Sequence, residues 1–111
     1  MEKIKVVVCE AGKKPYVKEI ENTLEAKQEL VGGWIEMVCP PIHDDEAVLI
    51  CNEEGKLLKL PPNRFIRTAS GQPYDVVCGT FFIINAPLDS DDFEGLSEEQ
   101  IEKYIEFYGE E

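Results

Sequence analysis

Lys56, Lys59, Arg64 and Arg67 fall within twelve residues that contain no acid, in the company of Asn52 and Asn63. Residues of these types at this spacing suit an anion pocket. A guanidinium such as Arg64 presents a planar fork that holds a phosphate or carboxylate through two parallel hydrogen bonds, while Lys56 and Lys59 add point charges and Asn52 or Asn63 fixes orientation. Glu54 sits in the same polar turn, so the candidate ligand-binding set is Asn52, Glu54, Lys56, Lys59, Asn63 and Arg64. The plainer reading is that Asn52 to Gly55 only makes a turn, Asn63 caps a loop and the four bases neutralise the protein's own acidic tail. Under either reading, a partly buried Arg64 calls for an acid partner, with Asp75 or a tail carboxylate the nearest.

That tail is sharply defined. From Asp89 to Glu111 there are ten acids and one base, Lys103, so nine of the twelve net negative charges lie in the last 23 residues. Up to residue 88 the balance is 13 acids to ten bases. Direct binding to nucleic acid is disfavoured by this charge, because phosphates are repelled and few counterions would be released. An acidic tail also suggests a mimic of nucleic acid that occupies the groove of a DNA-binding protein, although these carboxylates crowd into one short helix and a loop.

Catalytic chemistry finds little support. The single histidine, His43, stands in His43-Asp44-Asp45-Glu46, where consecutive residues rarely converge on one metal ion. No nucleophile elbow, phosphate loop or dinucleotide fingerprint is present. Cys9, Cys39, Cys51 and Cys78 lie in apolar segments, 30, 12 and 27 residues apart, without the close pairs of a zinc site, and read as small core residues. An enzyme would have to use Cys51 or Asp75 beside the basic segment. No catalytic residue, metal or cofactor is assigned.

A chain of 111 residues is expected to form one domain with a modest core. The apolar runs are too short to cross a bilayer, and the amino terminus enters a Val-rich strand without a leader pattern, so a cytoplasmic location is expected. Ile4 to Cys9 reads as a strand. Gly12 to Pro15 breaks it, and the spacing of Tyr16, Ile20, Leu24 and Val31 predicts a helix that Gly32-Gly33 ends. Gln28 falls near the apolar stripe of that helix, so its amide needs a partner or an exposed edge. Trp34 to Cys39 alternates as a strand; Trp34 is a core anchor or an exposed platform.

Ala47 to Cys51, apolar on both faces, reads as a central strand. Asn52 to Gly55 signals a hairpin turn, with Lys56 to Leu60 returning antiparallel. Asn63 to Thr68 is a short strand or loop, and Asp75 to Ile84 is the longest strand candidate, with Gly79 marking a bulge or a close backbone approach. Last comes a well-signposted helix: Ser97 caps it, Gln100 closes a capping box, Leu96 staples onto Ile101, and Ile101, Tyr104, Ile105 and Tyr108 form its apolar face. The expected class is therefore α+β: a largely antiparallel sheet of four to five strands, one helix after the first strand and a C-terminal acidic helix.

Three segments carry a family likeness. They are Leu24 to Trp34 (Leu24, Gln28, Leu30, Val31, Gly32, Gly33), Cys51 to Arg64 (Asn52-Glu53-Glu54-Gly55-Lys56 and Leu60-Pro61-Pro62-Asn63-Arg64), and Asp75 to Ile83 (Asp75, Gly79, Thr80, Phe81, Ile83). Together, over roughly residues 3 to 108, they resemble a small uncharacterised domain family carried by plasmids, integrative elements and phages, mainly of Gram-positive bacteria. The resemblance implies no activity. It implies a genomic setting among antirestriction and other accessory functions. Gln28, Gly33, Trp34, Asp75 and Gly79 are then candidates for structural or interface roles.

The expected function is a non-catalytic accessory binding protein of a mobile element or phage, engaging a protein partner or a small anionic ligand, in counter-defence. The alternative is the acidic nucleic-acid mimic, with an enzyme third. Neither membrane nor direct nucleic-acid binding is expected, and an apolar edge strand or an exposed Trp34 leaves a homodimer open.

Overall fold

Val6, Val7, Val8 and Cys9 are all fully buried although their side chains alternate between the two faces of a strand. A strand buried on both sides must lie inside a sheet covered on both faces, and the rest of the chain supplies those covers. In a computed structural model describing residues 2–38 and 46–109, the strands are β1 (Lys3–Cys9), β2 (Tyr16–Glu21), β3 (Ile35–Val38), β4 (Ala47–Asn52), β5 (Pro62–Arg67), β6 (Pro73–Cys78) and β7 (Phe81–Asn85). The helices are α1 (Leu24–Val31) and α2 (Glu98–Gly109). Five strands form an antiparallel sheet in the order β2-β1-β7-β4-β3, and β5 and β6 form a separate antiparallel pair. The fold is α+β. No described helix is long and apolar enough to cross a membrane.

Strand alternation sorts the core into two halves. Val7, Cys9, Leu49, Cys51, Phe81 and Ile83 face one way and meet Ile101, Tyr104 and Tyr108 of α2, with Val77 of β6. Val6, Val8, Ile50, Phe82 and Ile84 face the other way and meet Ile20 and Val31. On that second side Lys27 is buried without a carboxylate partner among the described residues: its Nζ donates to Asn22 Oδ1 (2.8 Å) and Thr23 O (3.2 Å) and stands 5.2 Å from the centre of the Phe93 ring. The central position expected for Ala47 to Cys51 is found, since β4 lies between β7 and β3. The acidic C-terminal helix also forms as expected, with Ser97 Oγ accepting from Gln100 N–H (3.2 Å) and Gln100 Oε1 accepting from Ser97 N–H (2.9 Å).

Three elements differ from the sequence reading. The helix expected from Tyr16 to Val31 is half strand: Tyr16–Glu21 pairs with β1 from Val8↔Tyr16 to Lys3↔Glu21, and the helix begins only after Thr23, whose Oγ1 accepts from Ala26 N–H (3.1 Å). The three-and-four spacing of Tyr16, Ile20 and Leu24 imitates a helix, yet Ile20 alone is buried in β2. A turn closed by Lys13 N–H to Glu10 O (3.1 Å) returns the chain onto β1, where a β-branched segment gains a ladder. The helix therefore follows the second strand, and Gly32 (φ 81) ends it.

Lys56 to Leu60 makes no return strand. It coils into a helical turn closed by Leu60 N–H to Gly55 O (3.0 Å) and Lys59 N–H to Lys56 O (3.1 Å), with Lys59 in the left-handed conformation at φ 58. Asp75 to Ile84 is two strands in two sheets, divided at Gly79. Gly79 has φ 94, and a Cβ there would stand 2.7 Å from Leu60 Cδ1, so the close approach expected at this glycine is found at the point where the chain changes sheets.

These two backbone sites give opposite expectations. Lys59→Gly removes a left-handed lysine and raises unfolding free energy by about 1 kcal/mol, whereas Gly79→Ala lowers it by about 2 kcal/mol or more. Urea unfolding of the two variants checks both signs.

Candidate functional site

The first half of the predicted site is structural. Asn52 is buried; its Nδ2 donates to Val31 O (3.2 Å) and its Oδ1 accepts from Glu54 N–H (2.7 Å), an arrangement that bends the chain after β4 and ties it to the end of α1. Gly33 is required beside it, because a Cβ there would lie 2.9 Å from Asn52 Nδ2. Trp34 contributes its carbonyl, which accepts from Glu53 N–H (2.8 Å), while its side chain is exposed. Gln28 is half-buried, and its side-chain amide makes no hydrogen bond among the described residues.

Lys56 is paired with Asp75 on the surface. That hydrogen bond lowers the Asp75 pKa and raises that of Lys56. A cleft of about 630 Å³ beside the turn is lined by Glu36, Glu53, Glu54 and Asp75 against the one base Lys56, so this end of the segment does not attract anions. Cys51 lies in the same cleft, and burial, with Glu36 next, pushes its thiol up to about 11. It is not an activated nucleophile.

The second half of the site is a polar bracket. Asn63 Nδ2 donates to both Cys9 O and Gly79 O (2.9 Å each), joining the end of β1 to the point where the chain changes sheets. Asn63 Oδ1 accepts from Arg64 Nη1 (2.7 Å). Arg64 is only 6% exposed and meets no carboxylate among the described residues: Nη1 also reaches Glu10 O (3.2 Å), and Nη2 donates to Lys13 O (2.8 Å) and Tyr108 O (3.1 Å). Of the expected acid partners, Asp75 is not the one, and Glu110 and Glu111 of the tail lie outside the described residues; what meets the fork is a set of backbone carbonyls. One of them, Tyr108 O, is at the C-terminal end of α2, where aligned peptide dipoles favour a cation. Asp75 belongs to Lys56, and the bidentate fork expected to clamp a ligand is filled from within. Arg64 Nε is buried without a partner among the described residues.

By fixing Glu10 O and Lys13 O against β5, this bracket brings two distant segments together. Gly12, Lys13 and Lys14 of the β1–β2 connection, Asn63 to Phe65 and Arg67 of β5, and Gly109 of α2 line one depression of about 600 Å³. It is framed by four cationic residues, Lys13, Lys14, Arg64 and Arg67, and no carboxylate is among its described lining. Phe65 is 53% exposed there, and the Arg67 guanidinium stands 5.7 Å from its ring centre. Lys13 has one exposed pairing, with Glu10 at 3.5 Å. Sequence reasoning missed Lys13 and Lys14, which appear in the chain only as two bases in a Gly-Pro turn, about fifty residues from β5. Lys59 joins neither cavity. His43 lies outside the described residues, and no group of three or more metal-ligating side chains occurs among the described ones.

A family model, "Domain of unknown function (DUF3846)", matches residues 4–109. The chain belongs to the DUF3846 family. No curated protein and no solved structure matches it. In this DUF3846 chain the Asn52 and Asn63-Arg64 segments hold turns and sheets in place.

The remaining perturbed pair is also tuned away from reactivity. Tyr16 Oη donates to Glu10 Oε2 (2.6 Å), which lowers the Glu10 pKa and pushes the Tyr16 phenol up to about 12. A weaker base and a weaker acid result. For the phenol the folded value is raised above about 10, so its stabilisation is complete below pH 10 and is lost between pH 10 and about 12. The Glu10 share is present above its usual 4.5 and is lost as pH falls. At pH 11 the tyrosinate absorbance of the folded protein and of Tyr16→Phe should nearly coincide; a clear deficit in the variant would show an ordinary phenol.

Arg64→Ala leaves the Lys13, Glu10 and Tyr108 carbonyls without this donor and is expected to destabilise the fold by about 3 kcal/mol or more, with Arg64→Lys restoring less than half, since one ammonium cannot replace the planar fork. Chemical unfolding tests this, and a loss below about 1 kcal/mol contradicts the bracket.

Proposed function

We propose that this protein is a non-catalytic accessory binding protein that captures an anionic group, on a protein partner or on a small ligand, in the depression between the β1–β2 connection, β5 and the end of α2. The observation that carries this reading is the convergence of Lys13, Lys14, Arg64 and Arg67 on one concavity with no carboxylate among its described lining, in a chain of net charge −12. Arg64 acts from behind, as a buried fixed charge, and the lysines and Arg67 form the contact surface. Among the described residues, the raised Cys51 thiol and the Glu10–Tyr16 pair, tuned toward inertness, accord with a binding role. The setting, a mobile element or phage of Gram-positive bacteria and a part in counter-defence, draws on the family likeness of the sequence.

The second reading, mimicry of nucleic acid, draws on the exposed carboxylates of Glu98, Glu99, Glu102 and Glu106 along α2. At 12 residues this helix is about 18 Å long, the span of about five phosphates on one strand, which is short for a groove-filling surface.

Inorganic pyrophosphate followed by amide chemical shifts tests the anion reading. Shifts are expected at residues 12–14, 63–67 and 109, and the double variant Lys13→Glu/Lys14→Glu should weaken binding at least about tenfold, because two attractive charges become repulsive. No shifts at millimolar pyrophosphate, or undiminished binding in the variant, would remove the proposal.

A further inference from the structure

We infer that the ligand class of this depression is a nucleotide, a nucleoside diphosphate above all, with the base against Phe65 and the phosphates against Lys13, Lys14 and Arg67. This rests on the anion-binding reading above and adds to it the identity of the organic part. Three features carry it. The first is Phe65 itself: a β5 side chain that joins neither core cluster, is 53% exposed, and lies in the same concavity as the cations. An aromatic ring beside a positive groove is the combination by which proteins hold bases and phosphates together, since every base offers a π-face and the backbone groups are anionic. Arg67, with its guanidinium 5.7 Å from the ring centre, extends that platform with a second planar group on which a base can stack.

The second feature is charge. Lys13 and Lys14 are adjacent lysines on the rim beside the buried Arg64 charge, and a second phosphate adds a further anionic group for them to engage. The third is room. Gly12 and Gly109 line the depression, and no atom of the described residues lies within 4 Å of where a Cβ would stand on either, so among them the rim is open backbone at both glycines. The volume of about 600 Å³ falls within the range of small-molecule and cofactor sites.

The test is calorimetric titration of the full chain with ADP, GDP, CDP and UDP, and separately with inorganic pyrophosphate, in the wild type and in Phe65→Ala. Phe65 is on the surface, so its truncation leaves the core intact. At least one nucleoside diphosphate should bind more tightly than pyrophosphate, and Phe65→Ala should weaken that nucleotide at least about fivefold while leaving pyrophosphate unchanged. If pyrophosphate binds as well as all four nucleotides, or if Phe65→Ala changes nothing, the nucleotide inference falls and the anion-binding reading stands. If neither pyrophosphate nor any nucleotide binds, both fall.

Discussion

The structure turns on a buried guanidinium that, among the described residues, has no counter-ion. Taking a cation out of water is expensive unless hydrogen bonds replace its hydration. Arg64 meets that requirement with three backbone carbonyls, from Glu10, Lys13 and Tyr108, and with the Asn63 amide oxygen. The four acceptors come from three parts of the chain: the β1–β2 connection (Glu10 and Lys13), β5 itself and the last turn of α2. Asn63 carries the linkage on to Cys9 and Gly79. One Asn-Arg pair thereby fixes the two-stranded sheet, the hairpin connection and the C-terminal helix relative to one another. A carboxylate in place of the carbonyls would have held Arg64 at a single point.

Much of the fold is written locally. The capping box at Ser97 and Gln100, the apolar run of Ala47 to Cys51 and the Gly32 stop are short-range signals that tertiary structure reinforces. The failures share one physical cause, which is that partners far along the chain override a local pattern. Tyr16 to Glu21 has a helical spacing of apolar residues but gains a whole ladder against β1. Lys56 to Leu60 follows a turn signal, yet β4 already has β3 and β7 on its two sides, and no edge is left for a returning strand. The site shows the same limit: Arg64 and Asn63 are conspicuous in the sequence, but that they are tied up by carbonyls, and that Lys13 and Lys14 stand beside them, depends on a contact spanning about fifty residues. Phe65 gives no signal beyond being an aromatic between two arginines.

The acidic composition and the basic depression are compatible at the scale on which charges act in salt water. The Debye length is about 8 Å at physiological ionic strength. Glu98 and Glu99 begin α2, whereas Tyr108, the residue that Arg64 grips, is near its other end, about 15 Å away along the axis. The first-turn carboxylates are therefore largely screened from the cations, and net charge governs solubility and long-range approach more than it governs this site. The carbonyls that hold Arg64 neutralise none of its charge, so the guanidinium still contributes a fixed positive field beneath the depression.

The most direct test of this account is the guanidinium NMR spectrum of Arg64. A fork held by Glu10, Lys13, Tyr108 and Asn63 predicts separate, slowly exchanging Nη–H signals, with rotation about the Cζ–N bonds arrested. Averaged Nη–H signals in rapid exchange with water, as a solvated arginine gives, would contradict the claim that this side chain organises the fold and the depression above it.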